Sequence, residues 1–358
     1  LACAFLLEIW PFVQYLTGMN SQPKTAEKSA VMAESPLEKL AQIMDADMLA
    51  VNEAILNRMQ SPVALIPQLA GYLIAAGGKR IRPLLTLAAT QIYNGEMNRA
   101  HGLAAAVEFI HSATLLHDDV VDESTARRGQ KTANLVFGNQ ASVLVGDFLF
   151  SRAFQLMVDD GSLDILRILS KASAVIAEGE VLQLTTTGRL DTSMDDYIAV
   201  ITAKTAELFA AACAVGPVIA GAGPEAEKAM YDFGLNMGIA FQIVDDALDY
   251  QADQETLGKT VGDDFREGKM TAPVILALPE ASGEERDFWQ KALQDNQQTP
   301  ACLARAQSIL QRHNTISKAL ELARAYSEKA VQSLHKAPNQ PLRGLLEETI
   351  HYTINRQY

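Results

Sequence analysis

Three cysteines are all that the 358 residues contain, and Cys3, Cys213 and Cys302 lie too far apart for a metal-type spacing. No disulfide framework can be built from them, and the pattern suits a reducing compartment. Basic residues are in deficit as well. Lys plus Arg number 30 against 43 Asp plus Glu, a formal charge of −13 with no basic block. That balance argues against a duplex nucleic-acid binder, which needs clustered cations to displace phosphate counterions. Aromatics make up only 6%, and no run of alternating Val, Ile, Thr and aromatic residues is long enough to build a sheet. An uninterrupted apolar run is also missing. Residues 1–18, LACAFLLEIWPFVQYLTG, are broken by Glu8 and Pro11, whereas a membrane span wants about 18 or more apolar residues. The start of this stretch has no Lys or Arg, as a secretory signal would.

What is present is enough for a large core: 48% apolar residues with only 20% charged exclude general disorder. Length is compatible with two domains or with one large helical one. The chain does not open on Met, and residues 1–35 are expected to be an N-terminal extension, disordered or not native, with Met19 or Met32 as the natural start. From Pro36 to residue 358 apolar residues recur at three- and four-residue steps, with Ala and Leu dominant, which predicts one all-α domain. Breaks are expected at Ser61-Pro62, Gly77-Gly78, Gly95, Gly129, Gly161, Gly188, Gly216-Pro217, Gly221 to Pro224, Gly258 to Gly268 and Pro279 to Gly283, giving about a dozen helices. Leu103 to Val121 and Ala226 to Tyr250 are too apolar all round for a surface and should be central helices of a bundle.

Each of these two segments ends in an aspartate cluster. Residues 109–129, FIHSATLLHDDVVDESTARRG, carry Asp118, Asp119 and Asp122, and at about 100° per residue His111, Leu115, Asp118 and Asp122 share a face. Residues 241–253, FQIVDDALDYQAD, carry Asp245, Asp246 and Asp249, with Gln242 on the face of Asp245 and Asp249. Most charge runs are solvated helix ends. These two are embedded in apolar sequence and repeat the same DDxxD spacing. Two carboxylates about 5 Å apart repel by roughly 3 kcal/mol at an effective dielectric near 20, so three on one turn inside a bundle need cations or protons. Oxygen ligands without cysteine favour Mg²⁺, which keeps water and binds through few carboxylates plus phosphate.

Cations of the opposite kind flank these clusters. GGKRIRP, residues 77–83, offers Lys79, Arg80 and Arg82 after a glycine pair; Arg127 and Arg128 follow the first cluster; Lys204-Thr205, Lys259 and Lys269 flank the second. Singly each is an ordinary surface cation, but together they are the counter-charges of a diphosphate. GGKR lacks the GxxxxGK[ST] pattern and no strand precedes it, which disfavours a nucleotide P-loop.

GGKRIRP, HDDVVDESTARRG, AKTAELF, FQIVDDALDY and LGKTVGDDFREGKMTAP occur in an order that resembles the trans-polyprenyl diphosphate synthases, and within them the long-chain bacterial octaprenyl enzymes. The likeness runs from about Leu37 to the C-terminus and includes GNQASVLVGDFLFSRAF and VIAEGEVLQL. The resemblance implies an all-α bundle around a deep central cavity, a cytoplasmic homodimer, isopentenyl diphosphate and an allylic diphosphate primer as substrates, and three Mg²⁺ ions. It implies that the six aspartates bind metal, that Arg127, Lys204, Thr205, Gln242, Lys259 and Lys269 hold the allylic diphosphate, and that Lys79, Arg82, His111 and Arg128 hold isopentenyl diphosphate. The product would be a long polyprenyl diphosphate for a quinone side chain, released through a transient membrane contact. The tail would run down beside the first aspartate helix, where the small Ala113 and Thr114 let it pass and Met157 or Leu169 set the floor. Met270 stands in GKMTAP where the family usually has proline. Alternatives are a shorter-chain synthase, a class I terpene cyclase, a non-catalytic partner subunit, and a di-iron bundle using Glu108-x-x-His111 and Glu348-x-x-His351.

Overall fold

The computed structural model describes residues 34–75, 78–127, 129–251 and 261–355. Within them the protein is all-α apart from one two-residue ladder. The described chain up to Arg167, with Val215–Ala222, forms one compact unit; Ile168–Ala214 with the described residues from Gly223 onward forms a second.

Ser35 opens the first unit with a reciprocal cap: its hydroxyl accepts the Glu38 N–H while the Glu38 carboxylate accepts from the Ser35 N–H. Helices α1 (Pro36–Ile43), α2 (Asp45–Arg58), α3 (Leu65–Ala75) and α4 (Ile81–Ile92) follow. Helix α5 (Met97–Val121) then runs through the core of this unit, and Ala100, Ala104, Ala105, Ala106 and Val107 are among its enclosed residues. Small side chains over two turns bring neighbouring backbones close, at little entropic cost for ordering them. Beyond α6 (Ala133–Phe137), α7 (Asn139–Asp160) returns antiparallel to α5. Gly102 lies beside Leu156, while at the other end a Cβ on Gly146 would come within 2.2 Å of His117 Nε2. Between α5 and α6 a two-residue antiparallel ladder pairs Ala126 with Lys131 and Arg127 with Gln130. It was not expected from the sequence, being too short for any alternation.

In the second unit lie most of α8 (Leu163–Thr186), then α9 (Met194–Ile201), a π-helical turn (Thr202–Ala206) and the start of α10 (Glu207–Ile219). Helix α11 (Pro224–Leu248) is its apolar spine and packs on the π-turn. A Cβ on Gly238 would meet Ala206 Cα at 2.6 Å, and one on Gly234 would meet Phe209 O at 2.4 Å. The remaining helices are α12 (Asp263–Arg266), α13 (Ala272–Ala277), α14 (Gly283–Trp289), α15 (Pro300–Arg312), α16 (Thr315–Leu334) and α17 (Pro341–Asn355). Phe265, Phe288 and Trp289 pack together in the core that α11 shares with α16, Phe265 stacked on Phe288 and edge-on to Trp289.

One expected break is not a break. Helix α10 runs through Gly216-Pro217 to Ile219. Proline there forfeits one backbone bond two residues before the helix ends, which is tolerable. Gly216 serves packing instead: a Cβ would lie 2.4 Å from the Ala89 carbonyl carbon. Among the described residues two helices are long and apolar enough to cross a membrane by length and composition, Asn139–Asp160 and the continuous Met194–Ile219, the latter mostly buried. Residues 1–33, the bulk of the expected N-terminal extension, lie outside the described residues.

Candidate active site

Both aspartate clusters sit in the last turn and cap of their helices, Asp118, Asp119 and Asp122 on α5 and Asp245, Asp246 and Asp249 on α11. Neither last turn contains Lys or Arg. The helix macrodipole already places partial negative charge there, so acids are the least favourable choice for stability. Two helices that both break this rule with the same residue type point to a cation.

In the first unit Asp119 is 1% exposed. Arg127 forks onto one of its oxygens, with Nε at 2.9 Å and Nη2 at 2.7 Å, a charge-assisted pair that offsets the burial. The Asn134 amide donates to the Asp119 carbonyl at 3.0 Å, and Ser124 N–H to the same oxygen at 3.0 Å. Asp118 and Asp122 are left half-buried on the helix face, with Asp122 N–H bonded back to Asp118 O. Two turns earlier on the same face His111 meets Arg82. Arg82 Nη1 lies 3.2 Å from His111 Nε2; arginine only donates, so Nε2 accepts and the ring proton sits on Nδ1. A histidine whose Nε2 accepts from a guanidinium is badly placed to bind iron through that atom. Glu348 and His351 are exposed near the end of α17, so the di-iron reading loses both halves. Lys79 is exposed just before α4. Arg128 lies outside the described residues.

Thr114 is half-buried one turn before Asp118, its hydroxyl donating to His111 O at 2.8 Å. Ala113 is 0% exposed and points into the packed core. Met157 on α7 and Leu169 on α8 are fully buried.

The second unit holds a cavity of about 90 Å³ whose wall includes Lys204, Thr205, Gln242, Asp246 and Lys269, five of the expected residues. A chain of hydrogen bonds fixes it. Thr205 Oγ1 donates to Gln242 Oε1 at 2.9 Å, Gln242 Nε2 to Asp246 Oδ1 at 2.7 Å, and Tyr197 OH to Asp246 Oδ2 at 2.6 Å. Helical phase put Gln242 with Asp245 and Asp249; its amide goes to Asp246, one residue round the same turn. Burial, reinforced by Asp245, pushes Asp246 up to about 7 despite these donors. Asp249 accepts the backbone N–H groups of Gly262 and Asp264, each at 3.1 Å, and burial still raises it. Asp264 is raised well above the carboxylate range by burial and then by Asp246 and Asp249. Lys269 pairs with Glu267 and stands 4.0 Å from Asp264. Lys204 Nζ donates to Glu180 Oε2 at 2.6 Å. Met270 is buried in the cavity wall, and Lys259 lies outside the described residues.

Sequence reasoning missed Asp264, Tyr197 and Glu180. A signal existed for Asp264, a second acid pair within the quoted GDDF stretch, and for Glu180 within VIAEGEVLQL. Tyr197 had none.

These residues fit a hard divalent cation. The donors are carboxylate oxygens, crowding and burial hold several of them above the ordinary carboxylate range, and cationic side chains stand close by. Among the described residues no three Asp, Glu, His or Cys converge to ligate one ion by themselves; Mg²⁺ commonly takes water and phosphate oxygens beside few carboxylates.

Carboxylate clusters on helix ends, basic diphosphate-type partners and an all-α frame define a class of isoprenoid diphosphate enzymes, and the comparisons narrow it. The polyprenyl synthetase family model matches residues 63–311, and the chain belongs to that family. It is 44% identical over 324 residues to the octaprenyl diphosphate synthase of Escherichia coli (strain K12), covering 89% of this chain and 99% of that one. It is 40% identical to an all-trans-nonaprenyl-diphosphate synthase of Rhodobacter capsulatus, covering 87% and 95%. Among solved structures, a polyprenyl synthase from Caulobacter crescentus CB15, complexed with calcium and isoprenyl diphosphate, superposes with a TM-score of 0.87 at 49% identity, covering 93% and 100%. A decaprenyl diphosphate synthase from Rhodobacter capsulatus gives 0.85 at 49%, covering 90% and 99%.

Proposed function

We propose that this protein is a divalent-metal-dependent trans-prenyltransferase that adds isopentenyl diphosphate repeatedly to an allylic diphosphate primer and makes a long all-trans polyprenyl diphosphate, octaprenyl in the first instance, for a quinone side chain. The observation that carries this reading is the pair of aspartate clusters set against their own helix dipoles, each with basic residues beside it. Family membership and the long-chain relatives support the same substrates.

In this reading each cluster and its cations act on metal and diphosphate. Three Mg²⁺ ions, when bound, supply electrophilic charge on the diphosphate, held by Asp118, Asp119, Asp122, Asp245, Asp246 and Asp249 directly or through water. Lys204, Lys269, Arg127, Thr205, Gln242 and Lys259 hold the allylic diphosphate and stabilise it as it departs, so the carbon–oxygen bond breaks to pyrophosphate and an allylic cation. Lys79, Arg82, His111 and Arg128 hold isopentenyl diphosphate so that its double bond attacks that cation. A new carbon–carbon bond forms, and a proton leaves to the departing pyrophosphate. Apolar side chains such as Phe241 keep water from the cation.

The chain acts as a cytoplasmic homodimer in this reading. Leu135, Val136, Val143, Leu144, Phe154 and Val158 expose an apolar strip along α6 and α7 that suits a second copy. Release of the apolar product uses a transient membrane contact.

A class I cyclase needs no second diphosphate pocket, and the Arg82–His111 pair favours the elongating enzyme. The test is Asp118→Ala, assayed with labelled isopentenyl diphosphate, primer and Mg²⁺. Turnover should be lost while circular dichroism stays that of the parent, and retained turnover removes the metal-site assignment.

A further inference from the structure

Helix α8 meets the π-turn at Gly179, where a Cβ would lie 2.7 Å from Ala203 Cβ and 2.8 Å from Lys204 N. The two backbones can be this close only because the residue is glycine. The next residue along, Glu180, is thereby brought onto Lys204, with Oε2 2.6 Å from Nζ. The side chains are 27% and 20% exposed. One turn further along the same helix Gln183 lines the cavity that also contains Lys204, so the ion pair stands at the cavity's edge. A π-turn inserts an extra residue and turns its side chains out of helical register, an irregularity frequent at functional sites. Here it carries Lys204 and Thr205 together.

The carboxylate is only half satisfied. Its other oxygen, Oε1, is sealed from solvent and has no hydrogen-bond partner in the structure. A buried acceptor left unmade lowers the net worth of the pair. Glu180 therefore holds Lys204 at the cavity edge through one of its two oxygens.

We infer that Glu180 is a positioning residue that competes with the diphosphate for Lys204. It presents the lysine to the incoming primer and reclaims it when pyrophosphate leaves, which clears the site for the next round of elongation. No covalent step is involved: one salt bridge exchanges for another. The inference rests on the reading that Lys204 holds the allylic diphosphate.

The experiment compares the full-length protein with Glu180→Gln, Glu180→Ala and Lys204→Ala. Calorimetry measures Mg²⁺-pyrophosphate binding, and steady-state kinetics measure KM for primer and for isopentenyl diphosphate. Removing the competitor should tighten pyrophosphate by roughly two- to fivefold, the range a partly exposed ion pair can contribute. Primer KM should fall by a similar factor with the isopentenyl diphosphate KM unmoved, and kcat should fall as release slows. A purely structural role would lower the melting temperature and leave this split absent. Unchanged or weaker pyrophosphate binding in both Glu180 variants overturns the inference, provided Lys204→Ala weakens it. If Lys204→Ala binds pyrophosphate as tightly as the parent, the assignment of Lys204 itself falls.

Discussion

Replacing Thr114 with phenylalanine should shorten the product. Thr114 sits four residues before Asp118 on the same half-buried face of α5, so at 1.5 Å per residue its side chain stands roughly 6 Å below the aspartate. Met157 is next to Leu156, which packs at the level of Gly102; sixteen residues of helix put that level roughly 24 Å below Asp118. A ring at position 114 would cut the room for the tail about fourfold. The protein should survive the change, since the Thr114 hydroxyl bonds only to His111 O within its own helix, and losing such a local bond costs about 1 kcal/mol or less. Ala113→Phe is a poorer probe. Ala113 is wholly enclosed, and overpacking a core position costs about 1–3 kcal/mol, which would mix a folding defect with a blocked tunnel. The assay is chromatography of products made from labelled isopentenyl diphosphate. Thr114→Phe should move the distribution from long chains to farnesyl or geranylgeranyl diphosphate. A folded, active Thr114→Phe variant with the parent's product lengths refutes a tail running along this face.

Two further outcomes follow from the second unit. Burial holds Asp246 at about 7 and raises Asp249 and Asp264. Raised carboxylates favour the fold in their protonated form, so this contribution is full below the ordinary carboxylate value and is lost as pH climbs through about 7. The metal-free melting temperature should therefore drop between about pH 5 and pH 8, with Mg²⁺ and pyrophosphate restoring more of it at the higher pH. An Asp246→Asn variant that keeps the parent's slope contradicts that assignment. Gly179→Ala forces a Cβ against Ala203 and Lys204 and should cost about 1–3 kcal/mol of stability in denaturant unfolding. An unchanged midpoint would mean the contact relaxes freely.

Much of this was legible in the chain itself, because helical period needs no long-range information. The faces holding His111, Asp118 and Asp122, and Gln242 with the second cluster, come straight from 100° steps. The break expected at Gly216-Pro217 shows the limit of that reasoning. Glycine beside proline reads as a helix end, yet Gly216 is there because Ala89 leaves no space for a Cβ, a fact about a neighbour over a hundred residues away. The same holds for Tyr197 on Asp246 and Glu180 on Lys204, whose partners are 49 and 24 residues distant. The π-turn under Lys204 has no composition of its own to announce it. Asp264 joins the cluster only through its backbone N–H on the Asp249 carboxylate, 15 residues back in the chain.

The most direct test of the central claim is mass spectrometry of the product formed by purified full-length protein from isopentenyl diphosphate, an allylic primer and Mg²⁺. An all-trans polyprenyl diphosphate in the octaprenyl range is expected, formed only with the divalent cation present. A product shorter than hexaprenyl would contradict the long-chain assignment, and no condensation at all would contradict the prenyltransferase reading itself.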